Sequence, residues 1–174
     1  VVIAGAELDV FSILHARSMT AAQLARRIKG NLRATEILLD ALTALGLLSK
    51  SGSRVPVYSV PAGTAKILTE TGSQSVLGMV RHQGNCLRRW GELAAVVLSG
   101  KPAPFRPSVR GAAGDLDSFI RAMHEVSQPM ATPLIGSLGR LKFKHLLDIG
   151  GASGTWTIPF LRLNTAAEAT IFDL

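Results

Sequence analysis

Leu146-Leu147-Asp148-Ile149-Gly150-Gly151-Ala152-Ser153-Gly154-Thr155, followed by Thr170-Ile171-Phe172-Asp173-Leu174, carries the strongest structural signal in the chain. Leu146 to Ile149 is short, apolar and followed at once by glycines, the pattern of a buried strand. Thr155 to Leu163 has helical spacing, and Ala169 to Phe172 forms a second strand ending at Asp173. Strand, glycine loop, helix, strand is a βαβ unit, which implies a parallel sheet. Glycines serve two needs at such a turn. The chain reverses sharply, and backbone must come close to a ligand where a Cβ would intrude. Asp173, 25 residues after Asp148, is placed to accept hydrogen bonds from two ribose hydroxyls. The pattern predicts a ribose-containing ligand; the plain alternative is an ordinary glycine turn in a parallel sheet.

A dinucleotide site spaces its glycines G-x-G-x-x-G and points a helix N-terminus at a pyrophosphate. Here the spacing is G-G-x-x-G, and Asp148 sits two residues before the first glycine. A carboxylate at that place opposes an anionic pyrophosphate and suits a ligand with an ammonium and a sulfonium. S-adenosylmethionine has both.

Upstream, the chain is helical. A first helix is expected from Gly5 to His15. Thr20 with Gln23 forms a capping box ahead of the apolar face Ala21, Leu24, Ala25, Ile28, and Gly30 stands at the C-terminal cap. Asn31 opens a third helix with the stripe Ala34, Ile37, Leu38, Ala41, Leu42, Leu45, closed by Gly46. The turn Ser51-Gly52-Ser53 and the β-prone Val55–Val60 then make a small hairpin. Three short helices and a hairpin follow the order of a winged helix-turn-helix. Further helices are expected over Pro61–Leu68, Ser75–Leu98 and Asp115–Leu138, the last interrupted near Pro129 and Pro133, with a loop over Lys101–Gly114.

These segments together resemble a known family. Leu146 to Thr155 looks like motif I of class I methyltransferases, and Thr170 to Leu174 like its second-strand acid. Ala21-Gln23-Leu24-Ala25 and Leu39-Asp40-Ala41-Leu42-Leu45-Gly46-Leu47-Leu48 resemble the winged-helix domain of plant caffeic-acid-type and bacterial hydroxyneurosporene-type O-methyltransferases. Phe119-Ile120-Arg121-Ala122-Met123 resembles that family's helix leading into the catalytic domain. Ala152 and Ser153 depart mildly from its commoner G-G-G-x-G loop.

The resemblance implies a winged-helix dimerisation domain over residues 1–100, a linker and helix over 101–144, and the first βαβ of a Rossmann-like domain over 145–174. It also implies methyl transfer from S-adenosylmethionine to a hydroxyl of a small, often aromatic, acceptor. Asp148, Gly150, Gly151, Gly154 and Asp173 would bind the cofactor, and Phe119 and Met123 would approach cofactor or acceptor. The general-base histidine of the family lies well past motif I, so it is expected beyond Leu174; none of His15, His82, His124 or His145 is assigned to it. No metal is needed for this chemistry. The family's domain forms intertwined homodimers that complete the partner's acceptor pocket. Leu8, Val10, Phe11, Ile13 and Leu14 surround more of the first helix than one core face requires, which points the same way.

Composition bounds the alternatives. The 174 residues are 47% hydrophobic and 18% charged, with mean hydropathy +0.29, which excludes a disordered chain. No apolar run reaches the ~18–20 residues of a membrane span, and no signal peptide stands at Val1. Cys86 is the only cysteine, so no internal disulfide or cysteine zinc site forms. A cytoplasmic setting is expected. The chain begins at Val, and a two-stranded parallel sheet cannot stand alone, so it reads as the N-terminal part of a longer protein.

A net charge of +7 and a pI near 10.3 raise a second function, a winged-helix transcriptional regulator. Against it, the third helix offers only Arg33, Thr35, Glu36, Asp40 and Thr43, two of them acidic and ill suited to phosphate. Smaller features have plain readings. Phe119 and Met123, four apart, suit core packing; Trp90 suits a half-buried anchor; His124-Glu125 suits a helix surface rather than a metal. The basic clusters Arg26-Arg27-Lys29 and Lys142-Lys144 suit solvated faces.

Overall fold

The computed structural model describes Val1–Leu174. Helices α1 (Val2–Glu7) and α2 (Val10–Ala16) replace the single first helix expected from the pattern. The break lies at Asp9, whose φ of 57° is left-handed, a conformation that aspartate tolerates better than most residues. Its carboxylate explains the bend, because it accepts hydrogen bonds from Arg81 and Arg110.

Strand β1 (Met19–Thr20) precedes α3 (Ala21–Ile28), α4 (Leu32–Ala44), β2 (Ser49–Ser51) and β3 (Val57–Ser59). The expected capping box is present in both halves. The Thr20 hydroxyl accepts from the Gln23 amide at 3.2 Å, and the Gln23 side chain accepts from the Thr20 amide at 2.9 Å. The left-handed cap of α3 is Lys29, with φ 54°, one residue before the expected Gly30. β1, β3 and β2 form an antiparallel sheet with β3 central, pairing Met19 with Tyr58 and Lys50 with Tyr58. β1 is an addition to the two-armed hairpin read from the sequence.

The core of this part joins Phe11, Leu14, Leu24, Leu39, Leu42, Leu48, Tyr58, Leu68 and Leu77. On α4 the buried side is Thr35, Leu39 and Leu42. Ile37 and Leu45, expected on the core stripe, are 60% and 57% exposed. Leu42 of the expected stripe is buried and Leu38 and Ala41 are half-buried, so the core face is turned toward Thr35 and Leu39; α4 is apolar on two sides, and periodicity alone does not choose between them. Val10, Phe11 and Leu14 of α2 are buried in the same core, with Leu8 and Ile13 packed against it. The apolar surround of α2 is therefore used within the chain.

Next come α5 (Ala62–Leu68), α6 (Leu77–Trp90) and α7 (Leu93–Ser99), so the long helix expected over Ser75–Leu98 is two, divided at Gly91-Glu92. Trp90 is 68% exposed rather than a half-buried anchor. Helix α8 (Gly111–Ser137) starts inside the expected loop and runs through Pro129 and Pro133 without interruption. Both prolines face solvent, so the carbonyls left unpaired by their missing N–H groups can bond water instead.

α6 and α8 pack closely. Gly78 makes this possible: a Cβ there would lie 2.6 Å from the Arg121 Cβ. Glu125 of α8 caps α6, accepting from the Gly78 and Met79 amides at 2.9 and 2.7 Å, where a carboxylate meets orphan donors and the positive helix end. The chain closes with β4 (His145–Ile149), α9 (Thr157–Leu163) and β5 (Glu168–Phe172), β4 and β5 parallel with Asp148 beside Ile171. No helix is long and apolar enough to cross a membrane.

Candidate functional site

The parallel pair brings Asp148, Gly150, Gly151, Gly154 and Asp173 to one place, the C-terminal edge of β4 and β5. The Gly150 amide donates to the Phe172 carbonyl at 2.7 Å, carrying the ladder into the loop. Gly150 has φ +77° and open space where a Cβ would stand. It is both conformationally special and accessible. Gly151 differs. A Cβ there would come within 2.6 Å of the Asp148 carboxyl and 2.9 Å of Ile171. Its bare side turns toward the two strands, so the loop needs glycine here to lie down on the sheet. Gly154, at φ +70°, likewise approaches Ile171.

Asp173 reaches back across the loop. One carboxylate oxygen accepts from the Ala152 amide at 2.7 Å, the other from the Leu174 amide at 2.7 Å. Ala152 is held in a left-handed turn, φ 42°. A carboxylate has about four lone-pair positions, so two amides leave capacity for two hydroxyls. Asp148 accepts from the Thr157 hydroxyl at the start of α9, which fixes its carboxyl under the loop. The loop ends in a hydroxyl chain: Ser153 Oγ to Thr155 Oγ1 at 2.7 Å, and Thr155 Oγ1 to His124 Nδ1 at 2.7 Å. His124 thereby ties α8 to the glycine loop. His124 and Glu125 face different partners, Thr155 and α6, so they do not converge on one ion.

Phe119 and Met123 share a face of α8 and are 44% and 37% exposed, not core residues. Phe119 lines a groove of about 350 Å³ between α6 and α8. His82, Asn85, Cys86 and Arg89 of α6 form one wall, Leu116 and Phe119 of α8 the other, and Phe105 of the connecting segment closes it. The His82 and Phe119 rings meet at 5.2 Å, tilted by 52°. Phe119 and His124 are five residues apart on α8, a rise of about 7.5 Å. Five residues also turn the helix by about 140°, so groove and glycine loop lie at successive heights on different sides of α8. The α6 residues of this groove fall at i, i+3, i+4 and i+7 and so share one helix face, but that spacing names no ligand, and only the pairing of α6 with α8 makes a groove of it.

A buried charge cluster holds α8 and α6 against the N-terminal helices. Arg81, 2% exposed, donates to the Ala6 carbonyl at 3.0 Å, to Glu70 at 2.5 Å and to Asp9. Arg110 adds two bonds of 2.9 Å to Asp9. Asp115 at the start of α8 receives the Ser108 amide at 2.8 Å and hydroxyl at 2.5 Å. Burial pushes its carboxyl up, but those two bonds, Asn85 and the Arg88 charge outweigh it and hold it below the ordinary value. In the antiparallel sheet, Asp40 accepts from Lys50 and from the buried Tyr58 hydroxyl, both at 2.7 Å. Those two bonds, Lys50 first, hold Asp40 low, while burial and then Asp40 push Tyr58 up.

Residues 1–71 match the O-methyltransferase dimerisation domain family. Over 99% of the chain there is 28% identity to the tetracenomycin polyketide synthesis 8-O-methyl transferase TcmO of Streptomyces glaucescens, 52% of which is covered. Acetylserotonin O-methyltransferase of Mus musculus is 30% identical over 99% of this chain and 48% of its own length. The chain spans about half the length of the curated relatives it matches. Among solved structures, an O-methyltransferase family protein from Burkholderia thailandensis superposes with a TM-score of 0.71 at 28% identity, over 99% of this chain and 51% of that one. Human N-acetylserotonin methyltransferase in complex with SAM gives 0.72 at 24% identity, over 99% and 54%; at that identity the likeness is one of fold.

Proposed function

We propose that the chain belongs to the S-adenosylmethionine-dependent O-methyltransferases that carry an N-terminal dimerisation domain, and that the protein methylates a hydroxyl of a small aromatic molecule. The observation that carries the reading is the C-terminal edge of β4 and β5, where an open glycine loop stands between two carboxylates. The residues fit the cofactor. Asp173 keeps lone pairs for the two ribose hydroxyls, Gly150 leaves its side of the loop clear, and Asp148 places negative charge beneath a cationic ligand. When bound, S-adenosylmethionine supplies an already activated methyl group. What remains for the protein is to hold the acceptor hydroxyl in line and to exclude water. Phe119 and Met123, exposed on α8, are the residues proposed for that task.

The matching division of the chain is a winged-helix dimerisation domain over residues 1–100, a linker and helix over 101–144, and the opening βαβ of a Rossmann-like domain over 145–174. The sheet order β1-β3-β2 behind α3 and α4 supports the first part. A homodimer through this domain is supported by the apolar surface it exposes: Ile37 and Leu45 on α4, Val97 and Leu98 on α7. The same surface disfavours the DNA-binding alternative. The exposed residues of α4 include Leu32, Ile37, Glu36 and Asp40 with a single cation, Arg33, a set poorly suited to phosphates and base edges.

Calorimetric titration with S-adenosylmethionine tests the proposal. Asp173→Ala is expected to weaken binding by about 1–3 kcal/mol, the scale of lost charge-assisted hydrogen bonds. Equal affinity in both proteins would remove Asp173 from the site.

A further inference from the structure

Arg89 stands at the groove between α6 and α8 without a carboxylate partner, whereas Arg81, Arg88, Arg110 and Arg121 are all ion-paired. Its guanidinium lies over the Phe105 ring, 5.7 Å from the centroid. The acids nearby do not neutralise it. Asp115 lines the groove as well, but its carboxylate is turned to Ser108 and Asn85 and balanced by the Arg88 charge. Glu92 lines an adjoining recess, together with Arg88 and Arg106 as well as Arg89, so positive charge prevails there. Across the groove from this cation stands the Phe119 ring, and the His82 ring, on the same wall as Arg89, packs against it.

Ring walls favour a flat, π-rich ligand. A guanidinium stacked on one ring and open to the groove favours a carboxylate or phenolate, which it can meet with two parallel N–H bonds. A volume near 350 Å³ lies at the small end of the ~300–1,000 Å³ of ligand sites, enough for one or two fused rings. From this geometry we infer that the groove takes the acceptor, and that the acceptor is an aromatic hydroxy compound carrying an anionic group paired with Arg89. The inference rests on the methyl-transfer reading for the word acceptor; the anion preference stands on the groove itself.

The test compares 3-hydroxy-2-naphthoate with 2-naphthol, which differ by the carboxylate alone, in fluorescence titrations without S-adenosylmethionine. The wild-type protein is expected to bind the acid at least about tenfold more tightly. Arg89→Gln should bring that ratio below about twofold, and Arg89→Lys should keep part of it, as expected for a charge-assisted pair. Arg89 is exposed, so both variants keep the fold. Cys86, half-buried in the groove wall, gives a second readout. Its alkylation by iodoacetamide should slow when the acid is bound. A wild-type ratio near one, a ratio unchanged in Arg89→Gln, or alkylation indifferent to the acid would overturn the inference. Failure of the S-adenosylmethionine titration would instead remove the methyl-transfer reading and leave the anion preference intact.

Discussion

Residues 1–77 bury their apolar side chains among themselves, whereas residues 145–174 leave theirs uncovered within this chain. The first region folds six helices or parts of helices and a three-stranded sheet around one core, in which Phe11, Leu39 and Leu42 are 0% exposed. The second pairs two strands and one helix and leaves Leu147, Ile149 and Phe172 exposed by 58%, 74% and 58%. Parallel strands are normally covered on both faces. The N-terminal region thus holds itself together, while the C-terminal unit, where the cofactor site is proposed, buries little apolar surface within this chain. Stability and chemistry sit in different parts of the chain, joined by α8.

Paired truncations would break this comparison if it were wrong. Phe11→Ala is expected to cost about 3–5 kcal/mol in denaturant unfolding, the range for a buried phenylalanine. Phe172→Ala, with its ring more than half exposed, should cost less than about 1 kcal/mol. Similar losses would mean that the two regions share one core.

The junction is next in size. Arg81→Met removes a buried cation shared by Ala6, Asp9 and Glu70. Breaking a fully buried pair costs about 3–5 kcal/mol, but Asp9 and Glu70 reach solvent, so about 1–3 kcal/mol is expected. The loss should appear as separate transitions for α8 and the N-terminal core in a hydrogen-exchange profile. Thr20→Ala removes one half of the capping box and should cost about 1 kcal/mol, confined to the N-terminal region. A loss that spread to β4 would couple the two halves more tightly than the structure implies.

Acid gives the smallest effect. Asp115 and Asp40 titrate below their ordinary 3.8 in the folded protein. A carboxyl lowered in this way gives its full stabilisation above that value and loses it as the pH falls through the folded one. Stability should therefore be level around neutrality and decline below about pH 4. Asp115→Asn should flatten part of that decline; an unchanged acid limb would mean that the Ser108 bonds contribute nothing.

How much the sequence revealed follows the same divide. Local chemistry was legible: the Thr20–Gln23 box, the left-handed Gly46, and the glycine loop with its two acids all stand where residue type and spacing put them. Features decided by distant partners were not. Asp9 breaks the first helix because Arg81 and Arg110, 72 and 101 residues away, draw in its carboxylate. The buried side of α4 is chosen by what packs on it. Pro129 and Pro133 read as breaks, yet α8 continues because its outer face is wet. The groove residues His82, Cys86 and Arg89 share a face of α6 by spacing alone, yet that face becomes a groove only when α6 lies along α8.

Hydrogen–deuterium exchange along the whole chain, with and without S-adenosylmethionine, tests the division of labour most directly. The account predicts slower exchange of amides in Ile149–Gly154 and around Asp173, with residues 1–71 unchanged by the ligand. No protection in the glycine loop, or protection within residues 1–71 alone, would contradict it.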